Sequence, residues 1–203
     1  MQTESSENPG KEKPYAQVYV IIVHLLLAGI IILFLGLSYA YIFSVNLGKW
    51  VDFQLPKIFW LSSFCVMGIS VLLKKIETDY KSDEVKKLRQ HLLLALLFSF
   101  VFLVCQFTGW IQMYNAGFTL SGSPSYSYIY LLGWLHGLHI FAGILFLSVA
   151  IFKVQKAVND PVKKLLYVSD VNQIVRLKLL SHYWHVIDAL WIFIFFLFLF
   201  QHA

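Results

Sequence analysis

Five long apolar runs, at roughly 18 to 45, 56 to 73, 91 to 113, 128 to 152 and 179 to 200, limit what this chain can fold into more than any other feature. Each is near the ~20 residues that a membrane-spanning helix needs, and each is too long for a buried strand. In hydrocarbon every backbone amide must find an internal partner, so only helices or a closed barrel can span. A barrel would read as short segments of alternating polarity, and these runs do not alternate. The expected fold is therefore all-α, a bundle of five transmembrane helices over residues 18 to 203 behind a polar N-terminal tail, residues 1 to 17. Composition agrees. Of 203 residues 59% are hydrophobic and 13% charged, against about 25% charged in a globular domain.

The formal charge of +5 would suggest nucleic acid in a soluble protein, but here the basic residues sit between the apolar runs, so no nucleic-acid partner is expected. Their distribution sets the orientation instead. With five spans, the N-terminus, the second linker and the fourth linker share one side. Fourteen of the sixteen Lys and Arg fall there, leaving only Lys49 and Lys57 opposite. The positive-inside rule then places the N-terminus in the cytoplasm. Tyr15, Tyr19, Trp50, Trp110, Tyr114, Tyr126 and Tyr183 lie near run ends, as interfacial aromatic belts do. Cys65 and Cys105 both lie inside apolar runs and imply packing, not a disulfide framework. The first apolar run is too long for a signal-peptide core, so no cleaved signal is expected.

Two runs carry polar side chains at helical spacing. The fourth contains Gly133, His136, Gly137, His139 and Gly143, with the two histidines three apart and on one face. Gly133 and Gly137 form a small-xxx-small pair that admits a neighbouring helix. The fifth contains His182, His185 and Asp188, again three apart, and Trp191. Two histidines and a carboxylate could begin a metal site, completed from the fourth helix. The residues favour a structural polar seam of His136, His139, His182, His185 and Asp188, with no metal, because an intramembrane carboxylate needs a donor. That donor is expected to be His185 or a histidine of the fourth span, fastening the fourth and fifth spans at Gly133 and Gly137. No nucleophile elbow, phosphate loop or Cys-x-x-Cys-His haem attachment motif occurs, so no catalytic residue is assigned.

The stretch Tyr183-Trp184-His185-Val-Ile-Asp188-Ala-Leu-Trp191 resembles the last-helix signature of the cytochrome c oxidase subunit 3 family, typically Trp-His-Phe-Val-Asp-Val-Val-Trp. Gly133-Trp-Leu-His136-Gly137-Leu-His139 is similar to that family's Gly-Phe-His-Gly-Leu-His stretch. Weaker likeness extends over Leu55 to Leu73 and Gln106 to Tyr114. Members often have seven helices, and this chain is similar to the last five, as in short subunits of some bacterial haem-copper oxidases. Two departures stand out. No acidic residue occurs between Glu12 and Asp52, where members usually carry a buried Glu, and the second Glu-bearing stretch reads Gln106-Phe-Thr108-Gly109-Trp110.

The resemblance implies an accessory subunit of a haem-copper terminal oxidase in aerobic respiration, in a bacterial plasma membrane, supporting stability, lipid retention and proton uptake. It implies no cofactor bound by this chain beyond phospholipid, with haem and copper in partner subunits. The implied partners are catalytic subunit 1, subunit 2, membrane lipids and a larger respiratory assembly. The alternatives are a subunit of a related nitric oxide reductase, or a membrane metalloenzyme built on the His/Asp seam.

Overall fold

A computed structural model describes residues 13–46, 55–119 and 124–201, and every long element among them is helical. The helices are α1 (Lys13–Asn46), α2 (Ile58–Lys81), α3 (Val85–Asn115), α4 (Pro124–Asn159), α5 (Pro161–Ser169) and α6 (Val171–Gln201). All but α5 are long and apolar enough to cross a membrane. The chain is thus a multi-pass membrane protein.

The helices run past the apolar runs at most of their ends. All five spanning helices exceed the ~20 residues that hydrocarbon requires, from 24 residues in α2 to 36 in α4. Polar turns therefore continue the backbone ladder outside the apolar layer. α1 begins at Lys13, within the stretch read as tail, with Pro14 in its first turn, where a missing N–H costs nothing.

The fourth linker is not a loop. α4 continues through Asn159, and the separate helix α5 starts at Asp160, whose carboxylate accepts the backbone N–H groups of Val162 (2.9 Å) and Lys163 (3.4 Å) ahead of Pro161. An aspartate in this place satisfies amides that the first turn leaves unpaired. The Lys163 ammonium and these N–H groups hold the Asp160 carboxyl below its usual range. Asp170 likewise accepts from the Asn172 amide at the start of α6.

Packing makes α6 the hub. It touches α1, α2, α4 and α5, whereas α1 rests only on α4 and α6 among its substantial contacts. Half of α6's most apolar window is buried but only 17% of α1's. Large apolar side chains such as Leu25, Ile32, Phe64 and Val104 cover the outer surface, as lipid contact requires.

The charged ends meet as five spans demand. The Tyr80 hydroxyl at the end of α2 reaches the carbonyls of Tyr167 (2.9 Å), Val168 (3.1 Å) and Asp170 (2.9 Å), and Lys178 pairs with Glu77 at 3.2 Å. Second and fourth linkers therefore share one side. Tyr80→Phe removes a bond worth about 1 kcal/mol, so amide exchange across residues 161–170 should quicken by about fivefold while that of the five spans stays unchanged.

Candidate functional site

The polar side chains of α6 form a ladder against α2. Ser181 Oγ lies 3.2 Å from the Leu73 carbonyl and 3.2 Å from His185 Nε2. His185 Nδ1 lies 3.1 Å from Ser70 Oγ, and Ser70 donates to Asp188 Oδ2 at 2.6 Å. Trp191 Nε1 then donates to Ser63 Oγ at 3.1 Å. The rungs rise on one helix as they fall on the other, the register of antiparallel neighbours. His185 thus sits between Ser181 and Ser70, with one ring nitrogen within hydrogen-bond distance of each hydroxyl.

The sequence-based partner for Asp188 is therefore corrected. Its donor is Ser70 of α2, not His185 directly and not a histidine of α4. The reason is geometric: His185, one turn away on the same helix, turns its own Nδ1 to the same serine, which bridges the two. Asp188 is buried, and its second oxygen has no partner among the described residues.

The glycines also serve other helices than expected. A Cβ on Gly133 would lie 3.2 Å from Trp110 Nε1, and one on Gly137 3.8 Å from the same ring, so both admit α3. Gly143 is the residue that admits α6. A Cβ there would stand 2.9 Å from Trp184 Cζ2 and 3.1 Å from Tyr183 Cε1. Tyr183, read as an interfacial aromatic, is instead buried, and its hydroxyl donates to the His139 carbonyl at 2.8 Å. Trp50 lies outside the described residues.

The remaining histidines separate. His136 is fully buried in a cage of aromatic rings, with centroids 5.2 Å from Trp191, 5.7 Å from Phe102 and 6.3 Å from Phe34. Neither ring nitrogen finds a partner among the described residues. His139 Nδ1 donates to the Leu135 carbonyl of its own helix at 2.7 Å, and its ring meets Phe34. His182 lies on the surface, stacked 5.0 Å from His24 of α1. The five seam residues thus occupy separate places. Only His185 and Asp188 are tied together, and no three metal-ligating side chains gather among the described residues.

Ser63, Ser70, Ser62 and Gln106 take part without having been expected from the sequence. Gln106 Nε2 donates to Ser62 Oγ at 3.1 Å, joining α3 to α2. A signal existed: α2 has the lowest hydropathy of the five spans, 1.5, and carries Ser62, Ser63 and Ser70 within its apolar run.

A cavity of about 790 Å³ lies between α1, α4, α5 and α6. Tyr19, Leu26, Phe146 and Leu180 supply apolar wall, and Lys153 and Arg176 supply positive charge toward the basic end.

Comparison with known proteins agrees with the signature motifs. Residues 18–202 match the family model for cytochrome c oxidase subunit III. A "Cytochrome c oxidase subunit 3" of Mycosarcoma maydis is 30% identical over 103 residues, 51% of this chain and 33% of that one. A "Cytochrome bo(3) ubiquinol oxidase subunit 3" of Buchnera aphidicola from Schizaphis graminum is 23% identical over 154 residues, 75% of each chain. The chain spans about a third of the length of the fungal relatives it matches. These names do not favour the nitric oxide reductase or metalloenzyme alternatives.

Proposed function

We propose that this chain, which belongs to the cytochrome c oxidase subunit III family, is the accessory subunit III of a haem-copper terminal oxidase in aerobic respiration. In this reading haem and copper reside in partner chains, catalytic subunit 1 and subunit 2, and the assembly can join a larger respiratory complex. A bacterial plasma membrane is its place. The wide match to bacterial ubiquinol oxidase subunits supports that, since it spans three quarters of both chains.

One observation carries the reading. The polar groups of the signature helix are engaged in holding spans together: Asp188 to Ser70, Trp191 to Ser63 and Tyr183 to the His139 carbonyl. Groups fixed in this way brace a bundle. Such a rigid bundle suits support of a neighbouring catalytic chain, its stability and its proton uptake. The 790 Å³ cleft, with apolar walls and with Lys153 and Arg176 at the basic end, supports lipid retention. Walls and charges of that kind suit acyl chains and a phosphate headgroup.

Purification in mild detergent is the test. A larger haem-bearing subunit and phospholipid should accompany the chain in native mass spectrometry, with a reduced-minus-oxidised haem spectrum. Recovery of a stable chain without any haem-bearing partner overturns the reading.

A further inference from the structure

Gln106 places a carboxamide inside the span formed by α3, where it is 3% exposed. Its Nε2 donates to Ser62 Oγ at 3.1 Å, while Ser62 donates to the Phe59 carbonyl at 2.9 Å. A hydroxyl has one proton, so with that proton on the Phe59 carbonyl it is the amide end of Gln106 that turns to Ser62 and the oxygen that turns away. Oε1 is buried and has no partner among the described residues. An unpaired amide oxygen is costly within a span, where no acyl chain can donate to it.

A cavity of about 10 Å³ adjoins Gln106, walled also by Phe59, Trp110, Gly133, Trp191 and Phe195. Trp110, one turn further along α3, holds its Nε1 over Gly133, 3.2 Å from where a Cβ there would stand. That N–H has no acceptor among the described residues. The other indole N–H on this wall, Trp191 Nε1, is already donated to Ser63 at 3.1 Å. The cavity is thus bordered by one free acceptor, Gln106 Oε1, and one free donor, Trp110 Nε1, among apolar side chains. Size and chemistry together choose an occupant. A space on the order of 10 Å³ is about what one water molecule needs and too little for a larger ligand. Water donates and accepts at once, as the two free atoms require, whereas a bare cation would meet an indole N–H and an anion an amide oxygen.

We infer that this cavity binds one buried water molecule, which donates to Gln106 Oε1 and accepts from the Trp110 Nε1–H. The water completes a polar chain that runs from the Phe59 carbonyl through Ser62 and Gln106 to Trp110. It thereby holds the indole ring over Gly133, where the missing side chain lets α4 approach α3.

The test is proton-detected solid-state NMR of the isotope-labelled full chain in lipid bilayers, with the indole signal of Trp110 identified by its loss in Trp110→Phe. In the unsubstituted chain, magnetisation should pass from water to the Trp110 Nε1–H. Gln106→Met, close in volume but without either polar atom, should abolish that transfer. No transfer in the unsubstituted chain overturns the inference. So does transfer that persists in a folded Gln106→Met chain, because water would then reach Trp110 from the membrane surface without Gln106. Should the variant fail to fold, a cryo-electron-microscopy map of the unsubstituted chain in its native assembly, fine enough to show other buried waters, decides the matter: a peak within about 3 Å of both Gln106 Oε1 and Trp110 Nε1 is expected, and an empty cavity overturns the site.

Discussion

Gly143→Leu should prevent α4 and α6 from packing and leave little folded chain. Even the first added carbon would stand 2.9 Å from Trp184 Cζ2, 3.0 Å from Cε2 and 3.1 Å from Tyr183 Cε1. Trp184 is wholly buried, so its ring has nowhere to retreat. Tyr183 cannot yield without losing its bond to the His139 carbonyl. Overpacking a core commonly costs about 1 to 3 kcal/mol, and a full isobutyl group against two fixed aromatic rings belongs at or above the top of that range. Denaturation of the detergent-solubilised chain, followed by tryptophan fluorescence, checks this. Gly29→Leu is the matched control, because nothing lies within 4 Å of a Cβ there, and the isolated chain should keep its stability.

Asp188→Leu is the second large effect. The change removes the acceptor of the Ser70 hydroxyl and leaves His185 bonded to a serine that has lost its onward partner. The expected cost is about 1 to 3 kcal/mol, felt as a weaker α2 to α6 contact and weaker assembly. Asp188→Asn keeps an oxygen toward Ser70 and should be tolerated. The two variants are compared by the yield of assembled oxidase and by turnover per haem. If Asp188→Leu assembled normally but abolished turnover, Asp188 would handle protons and the structural role would be wrong.

Much of the architecture was legible because lipid imposes one demand on every residue of a span. The five runs became five helices, and the alternation of five spans put the second and fourth linkers on one side, where Tyr80 and Lys178 do join them. Helix ends were less legible, since the hydrophobic signal stops at the hydrocarbon while the backbone ladder continues, as at Lys13 and Asn159. The motif helices were identified, but not which neighbour each residue meets. His136 and Asp188 share the spacing of a seam, yet spacing along one helix does not say which helix stands opposite. A serine on α2 took the place given to His185 or a histidine on α4, because a hydroxyl common in apolar runs gives no distinctive signal of its own. His182 shows the same limit. Its three-residue spacing from His185 placed it with the interior groups, whereas it lies on the surface against His24.

The most direct test of the accessory role is turnover of the purified oxidase before and after this chain is stripped away, with metal analysis of both fractions. Haem and copper should stay with the remaining subunits, initial turnover should persist, and activity should then decay faster than in the intact complex. Loss of initial turnover together with departure of a stoichiometric transition metal in the stripped chain would contradict that role.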